Sequence, residues 1–397
     1  MSLAQDIPPA EHSAWRALDR LGMLIVLLAL AGLALPFAAL RANRIVSGEG
    51  IGLVDALPGP PGGLVLALIL AGMAIALLRI PPLFKLIAGM VLLVALFVAV
   101  GTAATRLTPL DNTYARVAPA SGFWLLLLAF ALMVTDALTR LRFSPWARLG
   151  LLLVAALVLA GLLRSGHLDD LSILKEYASR APAFWQEVRA HLLLAFGSVA
   201  IAALAGIPLG VLCYKTPSLR AALLNSLNII QTIPSIALFG LLIAPLAWLA
   251  ANVPGAHAIG ISGIGTAPAM VALFAYSLLP IVSNCVVGLL GVSPPAVDAA
   301  RGMGMTSWQR LFNVELPLAF PVILTGIRIV LVQNIGLATI AALIGGGGLG
   351  VFVFQGIGQT AMDLVLLGAV PTIALAFAAA VVLDALVDLA SGKERPA

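Results

Sequence analysis

Residues Ser293–Pro321 read SPPAVDAARGMGMTSWQRLFNVELPLAFP, the longest polar interruption in an otherwise apolar C-terminal half. Their pattern predicts two short helices. Ser293 suits an N-cap and Pro294 the first helical position, where a missing N–H costs nothing. The first helix runs through Val297, Asp298, Ala299 and Ala300 and stops near Gly302 or Gly304, where glycine permits a chain reversal. Thr306 with Gln309 forms a capping box that starts a second helix. That helix carries Trp308, Leu311, Phe312 and Leu316 at near-helical spacing, and Pro317 and Pro321 are expected to end it. A helix–turn–helix with an apolar face outside the bilayer must lay that face against something, and a partner protein is the natural candidate.

Working outward, the chain is 61% hydrophobic and only 10% charged, with a mean hydropathy of +1.10. A soluble domain of this length needs far more charge on its surface. The apolar runs have the length of about 20 residues that a bilayer-crossing helix requires. They are continuous rather than alternating, which excludes a barrel. Ten spans are expected, near residues 21–40, 63–79, 84–101, 122–140, 147–164, 188–213, 219–250, 265–290, 319–344 and 362–390. The predicted class is therefore an all-α polytopic membrane protein. It divides into an N-terminal membrane region at 1–164, an amphipathic linker at 165–187 and a second membrane domain at 188–390. In that linker Leu168, Leu171, Leu174 and Tyr177 recur near helical spacing. They suit either an interfacial helix or a seat for a solute-binding protein.

Lys and Arg set the orientation. With the N-terminus inside, Arg16, Arg20, Arg79, Lys85, Arg140, Arg142, Arg148, Lys215, Arg220, Arg301, Arg310, Lys393 and Arg395 all fall on the cytoplasmic side. The loops at 251–264 and 345–361 carry no Lys or Arg, as outside loops should. Both termini and the 293–321 loop are thus expected in the cytoplasm. The scattered net charge of +5 reads as topology rather than as a nucleic-acid footprint. Cys213 and Cys285 fit inert packing, and His167 and His257 have no companions with metal-ligand spacing.

The same loop resembles the EAA loop of ABC importer permeases. Asp298-Ala299-Ala300, three residues, Gly304, nine residues and Val314-Glu315-Leu316-Pro317 match that family's spacing, with Asp for Glu and Val for Ile. The resemblance implies that Asp298, Ala299, Ala300, Gly304, Leu316 and Pro317 belong to a coupling loop that docks on a separate ATPase subunit. It implies further partners: a second permease subunit, homo- or heterodimeric, and an extracytoplasmic solute-binding protein. Localisation in the cytoplasmic (inner) membrane follows.

Asn225, Asn228, Gln231 and Thr232 place three amides and a hydroxyl on one helical face, and Pro234 with Ser235 interrupts the helix just after it. This stripe is either a lining of the translocation path or polar glue between helices. Gln231-Thr232-Ile233-Pro234-Ser235 also looks like the motif of osmoprotectant permeases of the glycine betaine and choline type. His191-Leu192, Ile207-Pro208-Leu209-Gly210 and Gly345–Gly350 are similar to that subfamily as well, so the resemblance covers about residues 185–390. The first five spans lie beyond it.

Asn284, Gln333 and Asn334 are further candidates for the path. Arg328 either lines it or snorkels to the interface, and Asp384 and Asp388 suit the interface. Phe239, Trp248 and Tyr276 could meet a quaternary ammonium through cation–π contact. The glycine run at Gly345–Gly350 lacks the Lys-Ser/Thr of a phosphate loop and reads as a tight turn. With no Walker sequence, ATP hydrolysis has to come from a partner. No HExxH, paired-Asp diphosphate motif or nucleophile elbow is present, so neither catalysis nor a cofactor is expected. The rival transport class, an ion-coupled secondary transporter, calls for buried mid-span carboxylates, which are scarce.

Overall fold

The computed structural model describes residues 19–43, 46–109, 111–112 and 114–392. The basic residues Arg16, Lys393 and Arg395, and with them the expected placement of the termini, lie outside the described residues. Among the described residues, nine helices are long and apolar enough to cross a membrane, and Arg20–Ala34 is a shorter apolar helix. These ten helices overlap the ten expected spans, although of the expected span 219–250 only Ser235–Asn252 is among them. The described residues divide into two compact units, one within Met1–Phe143 and Val158–Lys175, the other within Ser144–Leu157 and Glu176–Ala397.

The first unit contains α1 (Arg20–Ala34), strands β1 (Ala38–Arg41) and β2 (Glu49–Ile51), and the short α2 (Leu53–Ala56). It continues with α3 (Pro60–Leu77), α4 (Pro82–Leu107), β3 (Arg116–Pro119) and α5 (Ser121–Leu141). The expected span 21–40 is not helical throughout. The residue before a proline is pushed out of the α region, and Leu35, ahead of Pro36, is extended at φ −99°, ψ 159°. The chain then enters an antiparallel three-stranded sheet of order β2-β1-β3, with Ala39 opposite Gly50 and Ala118. Its strands are three and four residues long, too short to show a hydrophobic alternation in the sequence. The core gathers on Phe123, whose ring meets Phe37, Phe97 and Trp124 edge-on at 5.3–5.8 Å.

One buried ion cluster ties four helices of this unit at one end. Asp19 caps α1 by accepting the Leu21 N–H at 3.1 Å. Lys85 of α4 donates to Asp19 at 2.8 Å and to the Ala76 carbonyl of α3 at 3.0 Å. Arg140 of α5 reaches Asp19 at 3.1 Å and Asp136 at 2.9 Å. Burial by itself would raise the Asp19 pKa. The Lys85 hydrogen bond and the charges of Lys85 and Arg140 outweigh it and hold the carboxyl below its ordinary value.

Helix α6 (Pro145–Arg164) joins the two units, and its first turns belong to the second. There follow α7 (Ser172–Lys215), α8 (Pro217–Thr232), α9 (Ser235–Leu241), α10 (Ile243–Asn252) and α11 (Thr266–Leu290). The loop helices α12 (Pro294–Gly302) and α13 (Ser307–Arg310), then α14 (Leu316–Leu337), α15 (Gly350–Gly358) and α16 (Met362–Ala390), complete the unit. The expected linker helix and the span after it form one element, α7, kinked at Arg180 (φ −132°, ψ 17°) just before Pro182. Leu194, Ala202, Leu273, Ile281, Val330 and Ile335 make its core. The expected span 319–344 ends as α-helix at Leu337 and finishes in a 3₁₀ turn, Ile340–Ile344.

Candidate functional site

The 293–321 loop is built much as its residues dictate. Ser293 takes the extended cap conformation (φ −60°, ψ 132°) and a proline opens α12, but the Ser293 side chain makes no capping bond. Helix α12 closes with the Met305 N–H on the Ala300 carbonyl at 3.2 Å and Gly304 at φ 78°. That left-handed closure is what glycine allows. The capping box then forms in full. Thr306 N–H donates to Gln309 Oε1 at 2.8 Å, and Gln309 N–H donates to Thr306 Oγ1 at 3.3 Å.

The expected stop at Pro317 does not occur. Residues Leu311–Glu315 form a π-turn, with the Leu316 N–H bonded to the Leu311 carbonyl five residues back, and the chain runs directly into α14. Proline breaks a helix because it lacks an N–H and crowds the carbonyl four residues back. The widened turn in front of Pro317 leaves room for the ring, and Pro317 sits in the first turn of the new segment, where no N–H is needed.

Asp298 and Ala299 are exposed, whereas Ala300 is buried and anchors α12. Gly304 and Pro317 are exposed and Leu316 is half-buried. Asp298 pairs with Arg301 at 3.3 Å, a contact worth little in water. The apolar surface consists of Met303, Trp308 and Phe312, at 69%, 60% and 59% exposure, too apolar a group to be left to solvent. The rings of Trp308 and Phe312 stack at 5.8 Å, and Lys215 Nζ lies 3.6 Å over Trp308. Phe312, Leu316 and Pro317 also line an open cleft of about 300 Å³ with Ile207, Phe320 and Ile323. Glu315 is buried and paired with Arg310 at 2.6 Å, and Tyr214 packs nearby against the cluster of Leu311, Ala319 and Ile323. Lys215, Tyr214, Arg310 and Glu315 escape sequence reasoning. The first two lie nearly eighty positions before the loop begins at Ser293, and the other two look like ordinary loop charges.

The polar stripe is only partly one surface. Asn225, Asn228, Thr232 and Pro234 are exposed, while Gln231 and Ser235 are half-buried. Helix α8 stops at Thr232, and the Ile233 N–H takes the Ile230 carbonyl that Pro234 would otherwise leave free. The break is clamped to α11. Gln231 Nε2 donates to the Tyr276 carbonyl at 2.8 Å, and the Tyr276 hydroxyl donates to the Ile233 carbonyl. Phe239 and Tyr276 are buried in one core cluster and Trp248 is exposed, so the three candidate aromatics do not share one surface.

One other expectation changes. Asn334 is fully buried, donating to Ser198 of α7 and Ser277 of α11 at 2.8 Å each, and so serves as polar glue rather than lining. Asn284 donates to the Pro280 carbonyl of its own helix. Arg328 pairs with Asp384 at 2.6 Å, and Arg148 pairs with both Asp384 and Asp388. The glycine run is a tight turn as expected, with positive φ at Gly345, Gly347 and Gly348. Among the described residues, no group of three His, Cys, Asp or Glu side chains could hold a metal ion.

Comparison with known proteins places the two parts separately. Residues 202–395 match the family of binding-protein-dependent transport system inner membrane components. The carnitine transport permease protein OpuCB of Listeria monocytogenes is 38% identical over 192 residues, 48% of this chain and 79% of that protein. The chain belongs to the ABC importer permeases. The osmoprotectant import permease protein OsmW of Salmonella typhimurium is 45% identical over 45% of this permease and 78% of OsmW. The glycine betaine/carnitine/choline permease protein OpuCB of Bacillus subtilis is 35% identical over 52% and 86%. Residues 19–174 of the permease match the N-terminal domain of the ABC transporter permease YehY. The multi-pass architecture and the expected family agree, and membership decides against the ion-coupled alternative.

Proposed function

We propose that this permease forms half of the membrane path of an importer for compatible solutes of the betaine, carnitine and choline class. A separate ATPase docks on the Asp298–Pro317 loop and drives it. The observation that carries this reading is the exposed Met303–Trp308–Phe312 surface beside a loop closed at Gly304, an apolar face that a water-soluble partner can cover. The solute class rests on the relatives, whose names include carnitine, choline, glycine betaine and osmoprotectant.

Asn225, Asn228 and Thr232 are exposed, and in a bilayer lipid would be an expensive neighbour for these polar groups. A water-filled path shared with a second permease subunit would cover them. A binding protein would deliver the solute from outside, the cytoplasmic membrane would house the assembly, and the permease itself would perform no covalent chemistry. The N-terminal region, 1–164, and the stretch at 165–187 would stabilise or regulate the domain at 188–390 rather than conduct.

The test is co-purification with the ATPase encoded alongside the permease, together with betaine uptake in cells lacking other uptake systems. Wild type should retain the ATPase and import. Asp298→Arg with Ala299→Glu, both on exposed positions, should insert normally but lose both. Retention of the ATPase by that double variant would sink the docking assignment.

A further inference from the structure

We propose that α7 carries the motion of the coupling loop to the opposite end of the permease, and that Glu187 and His191 are the positioning residues that latch that end. The proposal rests on the coupling-loop reading above. Its first observation is the grip of the last turn of α7 on the loop. Lys215 covers the Trp308 ring at 3.6 Å, and Tyr214 packs against the buried cluster that contains Leu311 of the loop. Arg220 locks this turn by donating to the Cys213 and Tyr214 carbonyls at 3.0 and 3.2 Å. A displacement of Trp308 or Leu311 therefore pulls on α7.

The second observation lies about 28 residues back, roughly 42 Å at the α-helical rise and so about one bilayer with its headgroups. Glu187 and His191 are one helical turn apart and share a face. Glu187 Oε2 accepts the Gly348 N–H at 2.6 Å, and His191 Nδ1 accepts the Leu349 N–H at 3.3 Å. His191 is wholly buried and Leu349 is 2% exposed. The turn is tightly closed on itself, with Gly350 so near the Thr339 carbonyl that a Cβ would lie 1.9 Å from its oxygen. Release strips a carboxylate and two amides of their partners until water reaches them, which makes the latch a two-state element. Beyond the kink at Arg180 one continuous helix, with Pro208 inside it, connects grip and latch, an element through which coupling can pass.

The experiment uses the full chain with its ATPase in nanodiscs, carrying Leu349→Cys, and follows labelling by a membrane-impermeant maleimide. Cys213 and Cys285 are buried and give little background. Val351→Cys, a half-buried neighbour, is a second reporter. Labelling should be slow at rest and should rise when ATP and vanadate trap the ATPase. Glu187→Ala should raise the resting rate about tenfold, the scale of one lost charge-assisted hydrogen bond. Glu187→Gln, which keeps a carbonyl acceptor, should restore most of the protection. Lys215→Ala, which spares the docking surface, should leave resting labelling slow, retain the ATPase and abolish the nucleotide-dependent rise. A rise that survives this variant, or Glu187→Ala labelling like wild type, overturns the proposal alone. A wild-type permease that holds no ATPase overturns the coupling-loop reading and this proposal with it.

Discussion

Gly304 and Gly302 sit two residues apart in the loop, and alanine at each should act in opposite directions. Gly304 has φ 78°, and a Cβ built there meets no heavy atom within 4 Å, so the cost of Gly304→Ala is purely conformational. Holding an L-residue in the left-handed region costs roughly 1–2 kcal/mol. Gly302 ends α12 with no positive φ and equally open surroundings. Alanine there gains up to about 1 kcal/mol by restricting the unfolded chain and favouring helix. If the ATPase recognises the loop in this conformation, the Gly304 penalty lets other loop conformations compete. Apparent affinity should then fall by about 5- to 30-fold, since about 1.4 kcal/mol is a factor of ten. Gly304→Asn should fall less, because asparagine visits this region more readily. Titration of the labelled ATPase onto detergent-solubilised permease measures each constant, with monodispersity confirming the fold. Equal affinities for wild type and Gly304→Ala, or an equal loss for Gly302→Ala, would refute the reasoning.

Further outcomes follow from the ion cluster and the broken helix. Lys85→Met leaves the buried Asp19 with Arg140 alone, and removing one partner of a buried pair costs about 3–5 kcal/mol. Thermal unfolding in detergent should show a large loss, with Asp19→Asn in the same chain restoring part of it; no restoration would argue against a stranded charge. Because the folded Asp19 pKa is depressed, its stabilisation is complete above the ordinary carboxylate value of 3.8 and is lost as pH falls through the lower folded value. Wild type and Asp19→Asn should therefore differ in melting temperature at pH 7 and converge only as pH falls below the depressed folded value. Tyr276→Phe removes the hydroxyl from the Ile233 carbonyl and should cost about 1–3 kcal/mol at the clamp. Uptake should change while ATPase retention does not, and a parallel loss of both would place the effect in general misfolding.

The sequence by itself determined whatever depends on composition and local chemistry. Continuous apolar runs dictate helices in a bilayer because nothing else there satisfies the backbone. Thr306 and Gln309 form their box within one turn, and Gly304 closes α12, because caps and turns involve only neighbours in the chain. The helix break at Pro234 was legible for the same reason. Tertiary structure decided which polar side chains meet. Asn334 reads like Asn225 in the sequence, yet one is sealed between Ser198 and Ser277 and the other is exposed, because the packing partners of α14 come from helices distant in the chain. The pairing of Arg148 and Arg328 with α16, the grip of Lys215 on Trp308 and the hold of Glu187 on Gly348 likewise join residues tens to hundreds of positions apart. No local pattern encodes such contacts; they exist only once whole helices have chosen their neighbours.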